Sequence, residues 1–195
     1  GPPSKLLRQA GKKRRKRYGA YDSRGRLAGK RHISERPAAV EDRTEFGHWE
    51  IDTVVGPGRP CIVTLVERVT GYVMIGKLPD HTVAALNRGA LRLIAAAPIP
   101  VRTITADNGT EFHGYMDIEA ATGAQFYFAT PHHSWERGTS ENTNGLIRQY
   151  IPKRTSMARV SQIDCDCIAH KLNHRPRRRL GFRTPTECYE LDSAT

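Results

Sequence analysis

Apolar residues recur in two rhythms along this chain, and the change between them marks out the elements. From Gly47 onward, three short runs rich in β-branched residues follow closely: His48 to Val55, Cys61 to Arg68, and Tyr72 to Leu78. The breaks between them, GPGRP and VTG, are turn-forming, so the runs predict an antiparallel meander. After Leu78 the period lengthens. Val83, Leu86, Ala90, Leu91 and Ile94 fall at helical spacing and predict an amphipathic helix over 81–96, ending before Pro98. A strand from Val101 to Ala106, a helix from Glu111 to Ala121, a strand from Gln125 to Ala129 and a helix carrying Glu141 complete the pattern. Regular structure is expected to begin at Gly47, and no internal repeat is visible.

Three strands, then helix, strand, helix, strand, helix is the order of a ribonuclease H-like α/β fold. It predicts a mixed five-stranded sheet, three antiparallel strands followed by two parallel ones, flanked by helices. A chain of 195 residues with 38% hydrophobic content has room for one sizeable core. Residues 1–46 read as a basic arm and linker, and 47–195 as the folded core with a basic C-terminal helical extension.

Three carboxylates are placed for metal chemistry. Asp52 lies inside the strand-like WEIDTVVG, Asp107 ends a strand in TADNGTEF, and Glu141 lies on the predicted helix of SWERGTSENTNGLIRQY. An acid in the middle of an apolar strand costs several kcal/mol if buried alone, so Asp52 needs a cation or an arginine. Asp107 stands at the carboxyl end of a strand, where open α/β sheets place their ligands. A plain Asn-Gly hairpin turn has a similar local sequence, but here the chain continues into a helix. On the helix, Arg137, Asn144, Gly145 and Arg148 share the face of Glu141, while Thr143, Leu146, Ile147 and Tyr150 face the other way. An ordinary i, i+4 ion pair with Arg137 is the alternative for Glu141 taken alone. Together the three acids suit two divalent cations, roughly 3.5–4 Å apart, clamping both oxygens of a phosphodiester displacement. All-oxygen ligation favours Mg²⁺ or Mn²⁺. Asn108, Glu111 and Asn144 are candidates to support the carboxylates, and Asn142 or Asn144 to touch phosphate or ligand water. Glu50 is either a supporting group on the same strand face as Asp52 or a solvent-facing edge residue.

Charge is distributed unevenly. Residues 1–36 carry 13 Lys and Arg against Asp22 and Glu35, whereas 37–195 carry 18 of each sign, so the whole +11 resides in the leading arm. Its run Lys12, Lys13, Arg14, Arg15, Lys16, Arg17 reads as a phosphate-seeking tail. Arg137, Arg148, Lys153 and Arg154 are candidates for phosphate contacts near the cut. Lys171 to Arg183 holds six bases and no acid, and its Arg177, Arg178 and Arg179 form a second candidate DNA patch or a solvated helix end. His132 and His133 read as a loop pair packing beside Trp135, with proton transfer or a channel lining as the alternative. Trp49 and Trp135 read as core anchors, with base stacking the alternative, and Tyr150 is assigned to the apolar face. Cys61, Cys165, Cys167 and Cys188 show no zinc or disulfide spacing and read as free thiols of a reducing compartment. No apolar stretch reaches membrane-spanning length. The opening Gly1-Pro2 resembles a protease-cleavage scar, so the natural chain is expected to begin upstream.

The strings GHWEIDTVVG, TADNGTEF and HSWERGTSENTNGLIRQYIPK, with 33 residues between Asp107 and Glu141, resemble the DDE transposases of bacterial insertion sequences, specifically the insertion-sequence-thirty family with its retroviral integrase-like core. The resemblance runs from about Lys16 to the C-terminus and includes RYGAYDSRGRL and LNHRPRRRLGFRTPTECY. It implies that Asp52, Asp107 and Glu141 are a catalytic, metal-binding triad holding two Mg²⁺ or Mn²⁺ ions. It also implies cleavage at transposon ends to free a 3′-OH, and transfer of that end to target DNA. The implied partners are double-stranded DNA and further copies of the chain, in the bacterial cytoplasm at the nucleoid. The family's upstream helix-turn-helix region is not seen in these residues. A nonspecific nuclease on the same fold and a DNA-binding protein without catalysis are the alternatives.

Overall fold

The computed structural model describes residues 29–131 and 133–193. Five strands form one sheet: β1 (His48–Val55), β2 (Cys61–Glu67), β3 (Val73–Leu78), β4 (Thr103–Ala106) and β5 (Gln125–Phe128). Their order is β3-β2-β1-β4-β5. β1, β2 and β3 pair antiparallel, while β4 pairs parallel with both β1 and β5. This is the mixed sheet that the element order predicts.

Helices cover both faces, which explains why the strands bury side chains on both sides instead of on one. On one face Trp49, Ile51, Val63 and Leu65 join Leu86, Phe112 and Phe126 in one core. On the other, Val54, Ile62, Val66 and Val73 join Leu146, Ile147, Cys165 and Leu172. Successive side chains of a strand alternate faces, so Glu50 and Asp52 share the second face with Val54.

α2 (Val83–Ala96) covers the first face, and Thr82 caps it by accepting from the Ala85 amide. The segment read as a helix over 111–121 is split. A 3-10 turn over Thr110–Gly114 turns Glu111 and Phe112 inward before α3 (Tyr115–Thr122) begins. The second face is covered by α4 (Gly138–Ile147) and α5 (Gln162–Asn173). Ser161 and Asp164 form a capping box at the start of α5. At its other end Asn173 bonds both the amide and the carbonyl of Val73, fastening the helix to edge strand β3. α6 (Pro185–Ser193) follows.

Regular structure begins earlier than Gly47. A 3-10 turn spans Ile33–Glu35 and α1 spans Ala38–Asp42. His32 bridges Phe128 beside β5, Arg36 donates to Thr105, and Val40 is buried. The segment reads as a charged linker because its anchors are polar. Among the described residues no helix is long and apolar enough to cross a membrane.

Candidate active site

Parallel pairing of β1 with β4 brings two of the three predicted carboxylates together. The register sets Glu50 beside Thr105, and continuing it by two residues brings Asp107 level with Asp52. Asp52 Oδ1 accepts from the Thr53 amide at 2.8 Å, and its Oδ2 accepts from Asn144 Nδ2 at 2.9 Å. Asp107 Oδ1 accepts from the Gly109 amide at 2.8 Å, a local turn that leaves Oδ2 free to face the cluster. Between them lies Arg137, with Nη1 3.2 Å from Asp52 Oδ2 and Nη2 3.3 Å from Asp107 Oδ2. The Nη2 contact is an aligned hydrogen bond, whereas Nη1 is buried without one. Burial pushes the Asp52 carboxyl above its ordinary range. The Arg137 charge, in close contact, opposes that rise, the Asp107 charge adds to it, and the hydrogen bond from the Thr53 amide pulls it back.

Helix α4 is held against β1 by a second, fully buried carboxylate. Glu50 Oε2 accepts from the Ser140 amide at 2.6 Å, a negative charge at the amino end of the helix where the macrodipole favours it. Glu50 Oε1 is ion-paired with Arg68. Arg68 in turn bonds the Val40 carbonyl and lies 3.1 Å from Glu41. Glu50 is therefore no edge residue; β1 is the central strand and the side chain is wholly enclosed. Asn144, one turn further along α4, spans from Asp52 to the Thr64 hydroxyl at 3.3 Å. Glu141 lies between Arg137 and Asn144 on that helical face, yet it is exposed and stays outside the Asp52–Arg137–Asp107 cluster. Among the described residues no group of three or more His, Cys, Asp or Glu is arranged to hold a metal.

The donor chemistry nonetheless fits a divalent ion. Two carboxylates already converge on one cationic group, and Asp52 is desolvated and repelled by its neighbour, so further positive charge is favoured there.

The other predicted residues fall in several places. Asn108 turns away and donates to the Ala129 carbonyl at 2.7 Å. Glu111 meets Thr53 at 3.0 Å and His81 at 2.9 Å, with its carboxylate packed against Gly109, the residue whose amide binds Asp107. Arg148 lies along β1, donating to the Val55 carbonyl at 2.7 Å. Lys153 and Arg154 are exposed. Arg177 and Arg179 gather with Arg43 on the other side of α4, and Arg178 is exposed. Lys12, Lys13, Arg14, Arg15, Lys16, Arg17 and His132 lie outside the described residues. His133 stacks on Trp135 at 4.3 Å between ring centroids. Trp135 itself is 57% exposed and anchors no core. Tyr150 is also exposed, at 39%, with the Lys171 ammonium over its ring. Both departures follow from position: Trp135 sits on a 3-10 turn before α4, and Tyr150 follows the last turn of that helix. The four cysteines are free. What the sequence did not single out is the bridging place of Arg137 and the Glu50–Arg68 anchor. Alternation along β1 carried a signal for Glu50; for Arg68, just past the end of the neighbouring strand β2, none was available.

Residues 42–134 match the family described as Integrase core domain. The chain is 41% identical over 191 residues to the transposase for insertion sequence element IS4351 of Bacteroides fragilis, covering 97% of this chain and 59% of that protein. It is 43% identical over 183 residues to the transposase for IS1086 of Cupriavidus metallidurans, covering 93% and 54%. It is 40% identical over 159 residues to transposase InsI for IS30A of Escherichia coli, covering 81% and 42%. The chain thus spans about half the length of these curated relatives. Among solved structures, the catalytic core domain of BIV integrase superposes with a TM-score of 0.57 at 20% identity, covering 76% of this chain and 96% of that one. At that identity the likeness establishes the fold: a ribonuclease H-like α/β core.

Proposed function

The chain is related to the insertion-sequence-thirty transposases through an integrase core, and from this premise we propose that it is the catalytic part of a DNA transposase. The reaction is metal-dependent cleavage at a transposon end to free a 3′-OH, followed by attack of that hydroxyl on a target phosphodiester. The observation that carries the reading is the meeting of Asp52, inside β1, and Asp107, just past the carboxyl end of the adjacent parallel strand β4, at one guanidinium.

Asp52, Asp107 and Glu141 are the residues that would hold two Mg²⁺ or Mn²⁺ ions, which when bound supply Lewis-acid stabilisation to the attacking and leaving oxygens. The chain's own part is positional. The Thr53 amide and Asn144 fix the Asp52 carboxylate, and the Gly109 amide fixes that of Asp107. Glu50 fastens the first turn of α4 to β1, which sets where Arg137, Glu141 and Asn144 stand. Arg137 carries positive charge between the acids and is placed to meet a phosphate at the same locus. Further bases, among them Arg148, Lys153 and Arg154, are assigned to backbone contacts, with the arm at Lys12 to Arg17 adding nonspecific attraction. Double-stranded DNA is the partner, a synaptic complex of at least two copies follows from joining two ends, and the site of action is the cytoplasm.

A labelled, precleaved transposon end supplied with a target plasmid and Mg²⁺ tests the reading. Joined product is expected. Degradation of DNA without joining would assign a nuclease instead, and a mobility shift without any cut would assign a binding protein.

A further inference from the structure

On the side of α4 away from Asp52 lies a cavity of about 230 Å³. Its walls are Arg43, Arg177, Arg179, the turn at Gly71, and the first turn of α4 at Gly138 and Thr139. At 100° per residue, Thr139 and Thr143 of its lining point to the opposite side of the helix from Arg137 and Glu141, with Gly138 on the flank between. The cavity is therefore distinct from the carboxylate cluster but built on the same element.

Three guanidinium groups crowd this space, and among the described residues none of them lies in an ion pair. Each is held by a neutral acceptor. Arg43 donates to the Arg68 carbonyl and the Thr139 hydroxyl, both at 3.1 Å. Arg177 donates to the Leu172 carbonyl at 3.0 Å and Arg179 to the Val69 carbonyl at 2.7 Å. These bonds position the groups without neutralising them. Arg43 and Arg179 keep exposed surface and Arg177 is half-buried; partial desolvation and then the Arg43 charge disfavour the Arg179 cation, with Glu67 offsetting part of that, and desolvation and then Arg175 and Arg179 do the same to Arg177. Gly71 lines the wall with φ +74°, and a Cβ there would lie 2.7 Å from Arg179 Nη2. Preorganised guanidinium groups beside the amino end of a ten-residue helix match the geometry and charge of a phosphate.

We propose that this cavity seats one backbone phosphate of bound DNA, away from the scissile bond, and so sets how the duplex lies across α4. The assignment rests on the DNA-processing function proposed above and adds a definite contact to it.

The test uses the whole chain with a duplex of about 30 base pairs and no divalent metal, so that binding is read without cutting. Arg179→Gln is expected to weaken binding about tenfold and to flatten the dependence of log K on log salt by about one. Gly138→Glu, whose added side chain starts in open space and suits a helix amino end, should do the same without loss of fold. Arg183→Gln removes the same charge outside the cavity and should change affinity less than about twofold. Equal losses from Arg179→Gln and Arg183→Gln, or no loss from Gly138→Glu, would overturn the proposal while the wild type still binds DNA. Pyrophosphate titration, followed by the Thr139 amide resonance, judges the cavity separately. A shift in the wild type that Arg179→Gln abolishes is expected, and an unmoved resonance contradicts an anion site. A wild type that shifts with pyrophosphate but does not bind the duplex would place the failure in the function proposed above and assign the cavity to a free anion.

Discussion

Asp52 and Asp107, 55 positions apart in the chain, share the guanidinium of Arg137 at 3.2 and 3.3 Å. The parallel register of β1 and β4 accounts for the convergence, and the amino end of α4 supplies the arginine. Arg137 thus balances charge where a divalent ion would otherwise be required. Asp107 is 41% exposed and Asp52 19%, so the acids stay within reach of solvent and of an incoming ion.

Arg137→Gln leaves two facing carboxylates without their cation. Partial exposure moderates the cost, to about 1–3 kcal/mol at neutral pH. Denaturant unfolding checks this. Mg²⁺ should raise the melting temperature more in the variant than in the wild type, because it binds the folded acids where the arginine is missing; equal gains would contradict the account.

Glu50→Ala removes the partner of Arg68 and the acceptor of the Ser140 amide in a wholly buried setting. Leaving that arginine uncompensated should cost about 3–5 kcal/mol. Guanidinium unfolding gives the value, and a loss below about 1 kcal/mol would remove Glu50 as the anchor of α4.

Gly56→Ala tests how tightly the end of β1 packs against the segment after α4. A Cβ at Gly56 would lie 2.3 Å from the Thr155 carbonyl oxygen, a backbone atom that can yield only by moving the loop. Overpacking of this kind costs about 1–3 kcal/mol. A melting temperature equal to that of the wild type would show the approach to be loose.

Burial pushes the thiols of Cys61 and Cys165 up to about 11. Cys167 is exposed. Iodoacetamide at mildly alkaline pH should therefore label Cys167 in the folded protein and reach Cys61 and Cys165 only after unfolding, as peptide mass spectrometry would show. The folded thiols hold their protons where unfolded ones release them. Stability should accordingly fall as pH rises from 9.0 towards 11.

Much of this fold was legible in the sequence because its elements are strongly periodic. The three β-branched runs and the helix ending before Pro98 are found within two residues of their expected bounds. Asp52 and Asp107 were legible as a pair because each breaks its local pattern: an acid inside an apolar strand, and an acid at a strand's end before Asn-Gly. Arg137 was legible only as a surface base, since its bridging place depends on how α4 meets the sheet. The same holds for Arg68, whose partners Glu41 and Glu50 come from different elements. Residues 31–42 pack on the sheet through Arg36, Val40 and Glu41, a mostly polar set that hydrophobic periodicity does not register. Trp135 and Tyr150 were placed inside on their apolar character, but both lie at the ends of elements where side chains reach solvent.

The central claim is that Asp52, Asp107 and Glu141 together seat divalent ions against DNA. Anomalous diffraction from crystals of the chain with a duplex end and Mn²⁺ tests it most directly. The account predicts Mn²⁺ peaks within coordination distance of Asp52 and Asp107, with Glu141 drawn in and Arg137 displaced towards a phosphate, and loss of the peaks in Asp107→Asn. Mn²⁺ bound elsewhere, with Arg137 still between the two aspartates in the DNA complex, would contradict it.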